Sequence, residues 1–156
     1  MVEVAVCGAH MSGLPLNSEL TSLGGEFVKK TKTAKKYKLF KLNGFVPARP
    51  GLLRVSKGGT AIALEIWRLP LVNYGAFLAG VPSPLGFGTL VLEDETSVQG
   101  FLCEAYATED AVDISAIGGQ AAGLGTGSGD VKGSRKRSSR GGVVGADEYT
   151  APTAND

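Results

Sequence analysis

Glycine placement sets the limits on what this chain can fold into. Of 23 glycines in 156 residues, those at 118, 119, 123, 125, 127, 129, 133, 141, 142 and 145 crowd the last quarter, where large apolar side chains are almost absent. Glycine gives up more backbone freedom on ordering than any other residue, and a segment with so little apolar surface has nothing to offset that loss. Residues 118–156 are therefore expected to form a flexible, disordered tail. The folding unit is confined to residues 1–117, a length for one domain. Within the tail, Lys132, Arg135, Lys136, Arg137 and Arg140 form a basic cluster. Such a cluster is either an address or anionic-partner patch or a solvated linker, and a lone short one reads better as the linker.

The remaining composition is that of an ordinary globular protein, 43% hydrophobic and 20% charged. Sixteen Lys plus Arg against fifteen Asp plus Glu leave a net charge of +1, so neither nucleic acid nor an anionic membrane is an expected partner. Residues 69–92 carry no formal charge, but Pro70, Gly75, Gly80, Pro82, Pro84, Gly86 and Gly88 interrupt them. A membrane-spanning helix must satisfy its own backbone, and these breakers prevent that. The opening residues carry Glu3 and no basic stretch before an apolar run, so no secretory leader is expected. Cys7 and Cys103 are too few for a disulfide scaffold and too widely spaced for a zinc site. The expectation is a cytoplasmic protein without metal or cofactor.

Val2, Val4 and Val6 alternate with Glu3 and Ala5, which predicts a strand running straight into Cys7-Gly8-Ala9-His10. Asn17 is placed to cap a short helix bearing Leu20 and Leu23, ended by Gly24 and Gly25. Strands are predicted at residues 26–33, 37–42, 52–55 and 61–69. In the last of these, Ile62, Leu64 and Ile66 alternate with Ala63, Glu65 and Trp67, and both sets are bulky enough for burial on two sides. Pro70 opens a helix to about residue 78. Residues 89–92 and 97–106 read as a hairpin closed by Glu93-Asp94-Glu95-Thr96. About six strands with two short helices describe an α+β domain built on a small mixed β-barrel.

Chemistry is expected at the loop after the first strand. Gly8, Gly13 and the small Ala9 and Ser12 let the backbone turn tightly and offer N–H groups to an anion. His10 is the one histidine of the chain. It can act as acid, base or donor near neutral pH, or be an ordinary loop residue. Cys7, three residues earlier, raises a Cys/His nucleophilic pair, yet it ends an apolar strand and reads as packing, as does Cys103. Glu65 and Glu104 each sit mid-strand among apolar neighbours. A lone buried carboxylate is costly, so they either face a polar pocket in the barrel mouth as acid/base or ligand-orienting groups, or lie on exposed strand faces. Arg49, flanked by prolines, can pin a carboxylate or simply stand at an exposed turn. No P-loop, HExxH, CxxC or GxSxG pattern is in the sequence, which disfavours nucleotide and metal chemistry.

The run Val6-Cys7-Gly8-Ala9-His10-Met11-Ser12-Gly13-Leu14-Pro15-Leu16-Asn17 resembles the motif that opens the C-terminal domain of allophanate hydrolases. The similarity continues through Thr31-Lys32-Thr33-Ala34 and Tyr37, and Pro47-Ala48-Arg49-Pro50-Gly51-Leu52. It then takes in Glu65-Ile66-Trp67-Arg68-Leu69-Pro70, Val81-Pro82-Ser83-Pro84-Leu85-Gly86 and Gly100-Phe101-Leu102-Cys103-Glu104. The resemblance implies a gamma-glutamylcyclotransferase-like fold and a domain that speeds decarboxylation of N-carboxycarbamate, the product of a separate amidase. Two departures accompany it. Gln120-Ala121 stands where the family closes with Trp-Arg, and Phe77-Leu78-Ala79-Gly80 has no carboxylate where the cyclotransferases carry their catalytic glutamate. Cyclotransferase activity is therefore not the first expectation.

Together these readings give a small-molecule carboxylate-binding domain. Its expected catalytic residues are His10, Glu65 and Glu104, and its expected substrate contacts are Gly8, Ala9, Met11, Leu14, Asn17, Tyr37, Arg49, Pro84 and Leu85. The expected partners are a small carboxylated carbamate-like molecule, a separate amidase and, for assembly, a second copy of the chain. The alternatives are a non-catalytic binding or assembly module and a gamma-glutamylcyclotransferase-like enzyme acting on another small amide.

Overall fold

The computed structural model describes residues 1–46 and 48–117. Pro47, and the whole of the expected tail with its basic cluster, lie outside the described residues. The valine alternation does form a strand, β1 (Val2–Val6). A short helix, α1 (Asn17–Thr21), follows the loop, and then strands β2 (Glu26–Lys32), β3 (Tyr37–Lys41), β4 (Pro50–Arg54) and β5 (Ala63–Leu69). Helix α2 (Leu71–Ala79) starts directly after Pro70, whose fixed φ suits the entry to a helix. The last described elements are the hairpin of β6 (Leu85–Val91) and β7 (Ser97–Cys103), and a two-residue strand, β8 (Val112–Asp113).

Five strands form one mixed sheet in the order β2-β5-β1-β7-β6, and three form a second in the order β4-β3-β8. β1 lies in the middle of the larger sheet, antiparallel to β5 from Val2↔Leu69 to Val6↔Glu65 and parallel to β7 at Ala5↔Gly100. A strand so placed is covered on both faces, and its alternation sorts side chains into two cores. Ala5 joins Leu64, Ile66, Tyr37, Leu39, Leu52 and Leu90 between the two sheets. Val4 and Val6 join Trp67, Leu69, Leu20, Phe77 and Phe101 beneath the helices. The two-sided bulk of β5 thus serves both layers. Truncating one such residue, Ile66→Ala for example, is expected to cost about 3 kcal/mol. Gly100 permits the parallel contact, because a Cβ there would come within 2.8 Å of the Ala5 carbonyl oxygen.

The α+β class and the mixed sheet stand, but among the described residues the strands number eight rather than about six, and they form two sheets rather than a closed barrel. Three local readings also change. Leu16, not Asn17, is the N-cap of α1, and no side chain caps it; Asn17 is the first helical residue. β6 begins four residues before position 89, since Gly86 and Gly88 hide a strand from a propensity reading. β7 ends at Cys103, where the Glu104 N–H turns to the Pro84 carbonyl and a short 3-10 turn, Ala105–Thr108, begins. Among the described residues no helix is long and apolar enough to cross a membrane.

Candidate functional site

The loop that leaves β1 is fixed first by Gly8. Its φ of +70° is open to glycine, and a Cβ there would lie 2.4 Å from the Pro50 ring, so β1 and β4 can meet only over a bare Cα. Gly8–His10 then make one 3-10 turn, closed by the Met11 N–H donating to the Gly8 carbonyl at 3.0 Å. The amide of Met11 is thereby committed within the turn, and that of Ser12 donates to a Glu65 carboxylate oxygen. Neither of these two amides is left to cradle an anion. From this turn the loop presents His10 to the helices and Ser12 to β5.

On the helix side, His10 is 6% exposed. Its ring stacks on Phe101 with centroids 5.1 Å apart and meets Phe77 edge-on at 5.6 Å. Nε2 lies 2.8 Å from Glu19 Oε1, and Asn17 Nδ2 donates to the His10 carbonyl at 2.9 Å. One turn of α1 therefore holds both the ring and the backbone of His10. The hydrogen bond from His10 keeps the Glu19 carboxyl below its usual range; partial burial opposes this, and the charges of His10 and Arg49 add to it. Arg49 is half-buried, with its guanidinium 5.6 Å from the centre of the Phe45 ring. Burial lowers its pKa while Glu19 raises it. Cys7, Ala9, Leu85 and Phe101 complete a recess of about 10 Å³ with His10 and Arg49, room for roughly one water. Burial first, and the neighbouring Cys103 second, push the Cys7 thiol to about 12. A buried thiol held protonated is a poor nucleophile, and Cys7 packs in the core between the sheets, which disfavours the Cys/His pair.

On the β5 side, Glu65 is 2% exposed. Its Oε1 accepts from the Ser12 N–H at 2.8 Å, the Ser12 hydroxyl at 3.0 Å and Trp67 Nε1–H at 2.9 Å. These three donors satisfy one of the two oxygens of a mid-strand carboxylate without a cation, and they tie the loop to the sheet. Met11 and Leu14 lie along the same side, on a groove of about 400 Å³.

The structure brings Gly8, Ala9, His10, Asn17, Arg49 and Leu85 to one side of the loop, and Met11, Leu14 and Glu65 to the other. It does not bring in Tyr37, which is wholly buried between the sheets with its hydroxyl accepting the Val91 N–H. Nor does it turn Glu104 inward. That side chain is exposed at the end of β7, because the strand stops one residue before it. The paired-carboxylate mouth is thus corrected: Glu65 faces the interior and Glu104 faces solvent. Pro84 flanks a separate surface depression with Tyr106 and Asp110. Sequence reasoning missed Glu19, an ordinary acidic residue in a first helical turn, and missed Ser12 as the partner of Glu65. The signal for the first was an acid two residues after Asn17 on the helix that follows the histidine loop.

A small α+β domain with a mixed sheet and two short helices among the described residues is a gamma-glutamylcyclotransferase-like fold. An aig2-like protein from Mus musculus shares it at a TM-score of 0.51 and 18% identity, a likeness of fold alone. The family model of the allophanate hydrolase C-terminal domain matches residues 2–124, and the chain belongs to that family. It is 42% identical over 123 residues to the urea amidolyase of Saccharomyces cerevisiae, covering 76% of this chain and 7% of that protein. Kluyveromyces lactis allophanate hydrolase superposes with a TM-score of 0.73 at 39% identity, covering 78% of this chain and 20% of that one. A uropathogenic E. coli-specific protein superposes at 0.69 and 37% identity, covering 76% of this chain and 91% of that one. This chain therefore spans a small part of the urea amidolyases it matches and most of one solved chain.

Proposed function

We propose that this domain binds a small carboxylated carbamate-like acid at the mouth of the His10 recess and promotes its loss of carbon dioxide, N-carboxycarbamate from a separate amidase being the substrate. The observation that carries the reading is the His10–Glu19 pair, with the His10 ring packed on Phe77 and Phe101 beside Arg49 and His10 itself within the opening motif of the family.

Decarboxylation breaks a C–N bond, releases CO₂ and leaves an electron pair on nitrogen that must take a proton. When His10 carries its second proton, Glu19 accepts from Nε2–H, and Nδ1–H, without a hydrogen-bond partner among the described residues, is left to supply that proton. Arg49 holds the carboxylate that stays behind. The aromatic walls exclude water and so favour a charge-dispersed transition state over the solvated dianion. With room for roughly one water, the recess takes only the reacting end of the acid, and the remainder lies at its mouth. Glu65 contributes by fixing the loop rather than by proton transfer. The setting is cytoplasmic, where an amidase would make the labile acid on the spot.

Purified protein is expected to accelerate CO₂ release from amidase-generated N-carboxycarbamate, and His10→Ala to return it to the uncatalysed rate. Absence of acceleration by the unsubstituted protein overturns the reading. The narrowness of the recess favours one rival, a non-catalytic module that assembles with the amidase. In that case His10→Ala leaves association with the amidase and the overall activity unchanged.

A further inference from the structure

The groove on the β5 side of the loop is a cavity distinct from the His10 recess. Glu65 forms its floor with Ala63, and Lys30 and Lys32 of β2 line it. The register places Lys30 directly across from Glu65 and Lys32 across from Ala63, so these side chains share one face of the sheet. Glu93 closes one end, its N–H donating to the Lys32 carbonyl.

Two features of this face call for a ligand. The first is Glu65 itself. All three of its donors converge on Oε1, while Oε2 of a side chain 2% exposed has no hydrogen-bond partner among the described residues. An unmet buried carboxylate oxygen is costly. The second is that the lysine opposite does not meet it. The one ion pair within 4.0 Å among the described residues is His10–Glu19, not Lys30–Glu65. Lys30 and Lys32 are exposed, so the groove is lined by one unmet acceptor and two cations.

We propose that this groove binds a small carboxylic acid bearing an NH₂ donor, an amino, amide or ureido acid, with its N–H groups on Glu65 Oε2 and its carboxylate between Lys30 and Lys32. A volume of about 400 Å³ is ample for such a molecule. The ligand's donor replaces the missing partner of Oε2. Its length separates the two charges that Lys30 and Glu65, fixed on neighbouring strands, leave apart.

The test is an amide NMR titration of the full chain with N-carbamoylglycine as the probe, and with urea and acetate as its two halves. The expected result is saturable shifts at Ser12, Lys30 and Glu65, with each half binding at least roughly tenfold more weakly. Lys30→Ser combined with Lys32→Ser should weaken N-carbamoylglycine roughly tenfold, as should Glu65→Gln. If Glu65→Gln does not fold, the lysine pair decides, because both side chains are exposed. An unchanged affinity in the lysine variant, an equal response to acetate alone, shifts centred on Ala9, His10 and Leu85, or no saturable shift at all would each overturn the proposal. His10→Ala should leave the titration intact, so failure of CO₂ release with an intact titration removes the reaction and keeps this site.

Discussion

The two sides of the loop after β1 each bury a titratable side chain, and they do so by opposite means. His10 has one polar contact, to a half-exposed glutamate, and is otherwise enclosed by aromatic rings. Glu65 has three donors on one oxygen and is almost sealed from solvent. An imidazole can be neutral and tolerates an apolar wall, whereas a carboxylate in the same place needs N–H and O–H donors, which here converge on Oε1. The first arrangement leaves a ring free to exchange a proton; the second makes a mechanical fastening. The loop is tied to the sheet on the β5 side and leaves the proposed reactive ring on the helix side.

The sharpest way to break this contrast is to remove the fastening. Glu65→Ala leaves the Ser12 and Trp67 donors unmet and is expected to cost about 4 kcal/mol, with Glu65→Gln, which keeps an acceptor, costing less than half of that. Urea unfolding midpoints measure both. Equal losses for the two would mean that the saturated oxygen is not what holds the loop. Gly8→Ala comes next, at about 3 kcal/mol, because it combines a left-handed backbone with a Cβ 2.4 Å from Pro50. Its unfolding midpoint should fall, and CO₂ release should fall with it as the His10 turn moves. A tolerated alanine would show that β1 and β4 can separate without disturbing the site. His10→Ala, at about 2 kcal/mol from the lost ring contacts, is smaller in stability yet is expected to abolish CO₂ release. That inversion of rank separates a reactive side from a structural one.

Much of this was legible before any coordinates, for reasons that differ by residue. The valines of β1 and the two-sided bulk of β5 declared their strands because alternation is a local property. The loop declared itself through Gly8 and the lone histidine. Glu65 could be recognised as anomalous but not placed, since strand alternation gives parity and not the identity of the neighbouring layer. Glu104 failed on the same count: it lies one residue past the end of a strand whose end is set by a carbonyl at Pro84. Glu19 was invisible because its role comes from where α1 docks. β6 was shortened by Gly86 and Gly88, and β8, at two residues, is below the length at which any period can be read.

The smallest effect concerns Glu19, and its sign is fixed. The hydrogen bond from His10 lowers the folded-state pKa of this carboxyl below its ordinary value of 4.5. The pair therefore contributes stability that is present above that value and is lost as pH falls through the lower, folded one. With the Glu19 side chain 48% exposed, solvent screening holds the contribution to roughly 0.5 kcal/mol. Glu19→Gln should remove it, so that melting temperatures followed from pH 6 down to about pH 3 decline less steeply in the variant. The two curves should converge in acid, where the glutamate is protonated and resembles the amide in charge. A loss at neutral pH as large as that of Glu65→Gln would erase the distinction between the two sides, because it would make the His10–Glu19 contact a second fastening. Identical acid limbs would instead show that Nε2 holds no charge-dependent bond in solution, and the ring would lose the partner that orients it.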